Sequence, residues 1–367
     1  MWLERVAEVG PRFADRAAEY DAGDRFIAEN YGDLKRAQLF SAGVPAELGG
    51  GGATHTELCE MLRALAGYCG STALALSMHT HLIATAAWRW RNDKGATEPL
   101  LRQVAREELV LVSSGGSDWL ASSGKAERVD GGYRVTARKV FSSGSPAGQL
   151  LMTSAILDDP DAGPTVLHFP VSLGDQAVRM VETWRTLGMR GTGSNDLELE
   201  GVTIPESAIT GRRAAGQWHP MLHLASIMAL PLIYSVYCGL AERARTLAVS
   251  AAARRRDEPA SALLVGELEN QLTVARLGLA HMMQVAAERS PSPETTNEIL
   301  ICRTLVGQAA IRTVEKAMEV AGGAAFYRAF GLERLFRDVQ AARYHPLQEK
   351  AQLAYTGRLA LGLDING

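Results

Sequence analysis

Apolar side chains recur along this chain with two different periods, in three successive stretches. Up to about residue 108 the spacing is helical. Leu58, Met61, Leu62 and Leu65 fall at i, i+3, i+4 and i+7, while Glu57 and Glu60 fall on the other side. The segment 44–52 carries Gly49, Gly50, Gly51 and Gly52 and predicts a loop with unusual backbone angles or close packing. From 109 to 208 the period drops to two. The runs 126–129 and 133–135 flank Asp130-Gly131-Gly132, a hairpin signal, and further short strands are predicted over 149–157, 165–171 and 197–204, with 158–164 as a turn. Short strands at this spacing predict a small antiparallel barrel or sandwich. From 209 onward helices return. Leu264, Leu268, Leu272, Ala275 and Leu279 form a near-heptad stripe, Ser290-Pro291-Ser292-Pro293 breaks it, and Thr295 with Glu298 reads as a capping box that restarts it. Gly322-Gly323 interrupts again. The expected architecture is α+β and multidomain: an N-terminal helical domain (1–108), a middle antiparallel β-barrel-like domain (109–208) and a C-terminal four-helix bundle (209–367).

Composition narrows the function. A chain of 367 residues with 47% hydrophobic and 22% charged side chains is a folded chain with room for two or three cores. Its 38 basic and 41 acidic residues give a net charge of −3, which lacks the basic surplus of a nucleic-acid binder. The apolar run 227–240 is short for a bilayer and contains Pro231 and Ser235, so no membrane span is expected. Glu4, Glu8, Asp15 and Glu19 argue against a signal or transit peptide at the start. Cys59, Cys69, Cys238 and Cys302 lack metal-ligand spacing, so the expectation is a reduced, cytoplasmic protein without a metal site.

Familiar nucleotide loops are missing. The glycines of 188–193 lead into a strand rather than a helix, so they cannot set a pyrophosphate on a helix N-terminus. His79 and His81 lie two apart, on different sides of a helix, which disfavours a shared metal. What remains is a polar, glycine-rich set in the β region: Ser113 to Asp118, Phe141-Ser142-Ser143-Gly144, and 184–196. These are either ordinary loops or a grip on a polar heteroaromatic ring, with Phe141 and Trp184 as stacking surface.

Several of these runs, in this order, resemble the acyl-CoA dehydrogenase family. They are Phe40-Ser41-Ala42-Gly43-Val44-Pro45 with Glu47 and Gly49-Gly50; Gly116-Ser117-Asp118; Lys139-Val140-Phe141-Ser142-Ser143-Gly144; Leu187-Gly188-Met189-Arg190-Gly191-Thr192; and Gly322-Gly323 through Glu333-Arg334-Leu335 to Arg337-Asp338. The resemblance implies FAD, with FMN as the alternative, lying between the β domain and the bundle of a homodimer or homotetramer, partly completed by a neighbouring subunit. It places Ser113 and Ser117 at the cofactor, Ser117 on the flavin diphosphate. It places Phe141 and Trp184 at the ring, Ser143 beside flavin N5, Arg255 on the cofactor pyrophosphate of the partner subunit, and Gly322 and Gly323 toward the adenine half. A charge-assisted arginine contact suits that dianion.

Departures from the family pattern bear on the reaction. Asp257-Glu258 stand where the family has a Thr-Phe pair after the arginine. The glutamate that removes the α proton is missing from both of its usual places, which here hold His345, in Tyr344-His345-Pro346-Leu347, and Ala229. An imidazole with an ordinary pKa titrates near neutrality and can act as a base, so His345 becomes the catalytic candidate together with Ser143. Three functions follow. One is an FAD-dependent oxidoreductase that dehydrogenates a CoA or carrier thioester, or a similar small molecule, and hands electrons to an electron-transfer flavoprotein. A second is a two-component monooxygenase supplied by a flavin reductase, which hydroxylates carbon, nitrogen or sulfur through a flavin hydroperoxide, with His79 or His81 lining the pocket. The third is a non-catalytic subunit that completes a partner's cofactor site.

Overall fold

The computed structural model describes residues 1–93, 96–114, 116, 119–255 and 257–367. Five helices come first: α1 (Trp2–Ala22), α2 (Ala28–Arg36), α3 (His55–Ala66), α4 (Gly70–Asp93) and α5 (Glu98–Glu107). Trp2, Val6, Val9, Phe13, Ala17 and Tyr20 bury one stripe of α1. Thr54 starts α3 with a reciprocal capping box to Glu57, and Leu58, Met61, Leu62 and Leu65 all lie in the core as their spacing predicts.

The strands are β1 (Leu111–Ser113), β2 (Lys125–Val129), β3 (Gly132–Ser142), β4 (Leu150–Asp159), β5 (Gly163–Ser172), β6 (Val178–Val181), β7 (Asn195–Pro205) and β8 (Gly211–Ala214). The Asp130-Gly131 hairpin forms as predicted, with Val129 opposite Gly132. The sheet runs β6-β7-β3-β2-β4-β5-β8, with β1 added alongside β4. It departs from a purely antiparallel barrel in two ways: β4 pairs in parallel with both β1 and β2, and the end strands β6 and β8 do not meet. The sheet also runs past 208, because β8 pairs with β5, so the helical region that follows begins later than the pattern suggested.

That region holds α6 (Pro220–Ala252), α7 (Pro259–Glu288), α8 (Pro293–Ala321), α9 (Leu332–Val339) and α10 (Glu349–Ala360). Three helices are long, and the shorter α9 and α10 share the remaining place against α8. The cap of α8 is Ser292 with Thr295, one turn earlier than expected. Glu298 instead pairs with Arg289 and His281. Helix α6 is long and apolar enough to cross a membrane, yet 94% of that stretch is buried inside the fold. The reason is its neighbours: α3, α4, α7 and α8 pack around its first half, and a stretch buried all round, here Ile227 to Ala241, is apolar all round. The first and third sequence blocks are therefore one body. Buried residues from Trp2 on α1 to Tyr355 on α10 form a single continuous core, while Tyr133, Val135, Leu167, Phe169 and Leu199 centre a separate one in the sheet.

One joint fastens the sheet to both sets of helices. Arg337 on α9 donates to both carboxylate oxygens of Asp21 on α1 (2.9 and 2.6 Å) and to the Leu187 carbonyl (3.1 Å). The next residue, Asp338, accepts the Met189 N–H at 2.5 Å. Burial raises the Asp338 pKa to about 6, against the opposing pull of that N–H. Gly188 allows the approach: a Cβ there would lie 2.3 Å from the Arg337 carbonyl oxygen and 2.6 Å from the Asp338 nitrogen. Both are backbone atoms that cannot swing aside. Gly188→Ala is expected to cost about 2 kcal/mol through overpacking, read as a lower thermal midpoint with the secondary structure retained.

Candidate active site

The end of β3 and the segment before β7 bring three of the predicted residues together. Phe141 is 53% exposed and sits in the left-handed region at φ 57°, which a bulky side chain rarely adopts. Its ring meets Trp184 edge-on, with centroids 5.9 Å apart. The Trp184 indole donates to the Met189 carbonyl at 3.0 Å, and its backbone N–H donates to the Asn195 side chain at 3.1 Å. Beside them the Ser143 hydroxyl joins Ser194 at 2.7 Å, Ser194 joins Thr192 at 2.7 Å, and Thr192 donates to the Met189 carbonyl at 3.0 Å. A half-open aromatic platform thus lies next to a chain of hydroxyls anchored on the segment that α9 grips. This combination fits a flavin, whose ring system is flat and apolar on its faces and polar at one edge.

Other predicted residues lie elsewhere. Ser113 ends β1, paired with Met152 of β4. Ser117 lies outside the described residues. Arg255 and Gly322 are brought together: the guanidinium donates to the Val320 carbonyl at 2.8 Å, and a Cβ on Gly322 would sit 3.8 Å from it. Gly322 closes α8 at φ 64°, a conformation open to glycine, and Gly323 beside it is exposed.

The histidines divide by their partners. His79 uses both ring nitrogens, accepting the Leu111 N–H at 3.0 Å and donating to the Phe40 carbonyl at 2.8 Å. It is 1% exposed, so it ties α4 to β1 and to the loop at Phe40 and does not line a pocket as anticipated. His81 shares a half-buried face of α4 with Met78, Thr85 and Trp88 and keeps its candidacy. Burial lowers the pKa of each to about 4.

His345 lies between the turn at 340–343 and α10, enclosed by Tyr234, Tyr237 and Arg303. Its Nε2 and the Tyr237 hydroxyl are 2.5 Å apart. Arg303, 3% exposed, donates to the His345 carbonyl at 2.6 Å, and its guanidinium lies over the Tyr234 ring. Burial first, and the Arg303 charge second, press the His345 pKa down to about 3. The sequence expectation of an imidazole titrating near neutrality is thereby corrected. The ring stays neutral, and one nitrogen is already engaged. Tyr237, Tyr234 and Arg303 were missed because each reads as a core residue of a long helix; only their i, i+3 spacing on α6 and the arginine on an apolar stripe of α8 hinted at them. Ala229 is buried and brings no acid. Glu108, also missed, is a buried carboxyl with a raised pKa, one oxygen on the Phe40 N–H and the other without a partner.

Comparison with known proteins decides the family. The acyl-CoA dehydrogenase N-terminal domain matches residues 4–107 and the C-terminal domain of the same family matches 234–349. The chain belongs to the acyl-CoA dehydrogenase family. It is 29% identical to the amino sugar nitrososynthase RubN8 of Streptomyces rubradiris, over 96% of this chain and 88% of that protein. It is 28% identical to the putative acyl-CoA dehydrogenase YdbM of Bacillus subtilis (strain 168), over 95% and 94%. Among solved structures, KijD3 in complex with FMN and dTDP-3-amino-2,3,6-trideoxy-4-keto-3-methyl-D-glucose superposes with a TM-score of 0.90 at 26% identity, covering 99% of this chain and 93% of that one. This family member therefore combines an open aromatic platform with a histidine, His345, whose pKa is pressed far below the usual imidazole range.

The histidines give the protein a distinct acid response. In the unfolded chain they take up protons below about pH 6.5, but in the fold only near pH 4 for His79 and His81 and near pH 3 for His345. Stability is fully present above 6.5 and is lost as the pH falls through that window. In chemical unfolding, His345→Asn is expected to lower proton uptake between pH 5 and 6 by about one proton relative to the parent.

Proposed function

We propose that the chain is an FMN-dependent oxygenase that transfers oxygen to the nitrogen of an amine-bearing small molecule, with reduced flavin supplied by a separate reductase. One observation carries the reading: both positions that hold the dehydrogenase carboxylate lack one, and the residue at the first of them, His345, is held neutral. A base whose conjugate acid has a pKa near 3 is poorly matched to removing a proton α to a thioester at neutral pH. This moves the balance away from acyl-thioester dehydrogenation. Likeness to an amino sugar nitrososynthase and to an FMN complex with an amino sugar nucleotide supports the same direction.

When bound and reduced, the flavin supplies the activation of dioxygen. Phe141 and Trp184 give the ring its aromatic floor, and the Ser143–Ser194–Thr192 chain meets its polar edge. Arg255, with Gly322 and Gly323 leaving the backbone bare, holds the phosphate of the cofactor bound by the partner subunit of a homo-oligomer. The choice of FMN over FAD rests on the likeness to an FMN complex. Tyr237, buried and with its pKa far above 10, keeps its proton and donates it to Nε2 of His345. This arrangement leaves no buried phenol proton without an acceptor, and it puts the imidazole proton on Nδ1. His345 is then an N–H donor aimed at substrate or oxygen rather than a base.

The test uses the FMN-loaded protein, first anaerobically with acyl-CoA esters of several lengths, then with a reductase, NADH, oxygen and an amino sugar nucleotide. No bleaching in the first experiment and an oxygen-dependent mass gain on nitrogen in the second are expected. Bleaching by an acyl-CoA would return the protein to the dehydrogenases. His345→Ala is expected to leave the FMN dissociation constant within about twofold while product yield falls at least about tenfold and hydrogen peroxide release rises, the loss expected for one charge-free hydrogen bond made at the reacting atoms. Equal loss of FMN affinity would make His345 part of the cofactor cradle instead.

A further inference from the structure

Away from the Phe141 platform the molecule holds a cavity of about 280 Å³, enclosed by α1, the turn between α3 and α4, the second half of α6 and the segment 328–338. Three arginines from three elements line it: Arg243 on α6, Arg328, and Arg334 on α9. Among the described residues, none of the three has a carboxylate or any hydrogen-bond acceptor as a partner, in a protein that pairs most of its other arginines. Two acids also line the cavity, Asp21 with both oxygens committed and Asp338 with one. Asp21 is taken by both terminal nitrogens of Arg337, and Asp338 accepts the Met189 N–H. The first turn of α4, Gly70 and Ser71, forms another wall and adds N–H groups that lack intrahelical acceptors. Leu247 and Phe330 make the rest of the lining apolar.

Three arginines lining one cavity without a salt bridge, with only the charge of Asp338 set against Arg334, next to the positive end of a 24-residue helix, suit a dianion with several acceptor oxygens. The volume falls just under the roughly 300 Å³ at which drug-sized ligand sites begin. We propose that this cavity binds a small phosphomonoester, its phosphate on Arg243, Arg328 and Arg334 and its short carbon skeleton against Leu247 and Phe330. The site is separate from the flavin platform and does not depend on which reaction the protein performs.

Calorimetric titration of the flavin-saturated protein with inorganic phosphate and with phenyl phosphate, at low ionic strength, tests it. Both are expected to bind, phenyl phosphate more tightly, and added salt is expected to weaken both. Arg243 and Arg328 are exposed, so Arg243→Gln with Arg328→Gln removes two donors without opening the core. The double variant is expected to lose at least about tenfold in affinity for both probes, since each charged hydrogen bond is worth about 1.5 kcal/mol or more. Its thermal midpoint, FMN affinity and mass by light scattering are expected to stay unchanged. Absence of binding by the parent protein, or unaltered binding by the variant, would overturn the proposal. A variant that loses FMN affinity would assign the arginines to the flavin, and one that dissociates would assign them to a subunit contact; either outcome also overturns it.

Discussion

The position of the loop that enters β7 depends on the joint made by Arg337 and Asp338. The sheet and the helical body each have a core, and a smaller apolar cluster of Ile83, Leu101, Val104 and Leu111 joins them; apolar contacts are not directional, so polar groups at the boundary add the orientation. Arg337 supplies direction through its planar fork, with Asp21 on one side and the Leu187 carbonyl on the other. Asp338 catches the next N–H along the same loop. Two successive residues of one short helix thus tie together an N-terminal helix, the C-terminal bundle and the loop that enters β7. The Asp338–Met189 bond is buried and the Arg337–Asp21 pair half-buried, and Gly188 brings the backbones close enough for these bonds to form.

The geometry of the platform follows from that joint. The Met189 carbonyl accepts from both the Trp184 indole and the Thr192 hydroxyl, while its N–H is held by Asp338. Moving α9 therefore moves the anchor of the aromatic pair and of the hydroxyl chain together. Met189 at φ 55°, Gly193 at φ 55° and Phe141 at φ 57° concentrate left-handed backbone in this corner. Strain of this kind persists where the surroundings over-determine it, and here the surroundings are the two cores pressing on the loop between them. The outcome is an exposed phenylalanine held edge-on against Trp184.

Much of this was legible in the sequence, and the gaps have physical reasons. The helix of 55–66 and the hairpin at Gly131 were readable because period and turn chemistry are local. The shared core of the first and last helices was not, since nothing local says that α3 and α4 pack on a helix that begins on the far side of the whole β region. The parallel pairing of β4 is equally non-local. Phe141, Ser143 and Trp184 could be grouped as candidates because they stand at strand ends among glycines, and Arg255 with Gly322 because a charge run and a helix stop are visible signals; the structure brings each group together. His79 was offered as a pocket residue and is a staple instead. Whether a histidine's two nitrogens are free or spent depends on backbone groups at Phe40 and Leu111, which no spacing rule reaches. Tyr237 and Arg303 were hidden because a buried polar residue on an apolar helix announces its partners only in three dimensions.

Arg303 sets the electrostatics around position 345 and decides which kind of titratable group could be charged there. Its guanidinium is buried and has only carbonyl oxygens and the Tyr234 ring for company, and its Nε has no partner. A buried positive charge without a carboxylate acts on whatever titrates beside it. It would favour an ionised carboxylate at position 345 and keep such a base charged, the state a dehydrogenase needs. It opposes an imidazolium at the same position, because protonation there would set two cations together away from water. The same arginine that would support an anionic base thus forbids a cationic acid. The histidine is left as a neutral hydrogen-bonding group oriented by Tyr237.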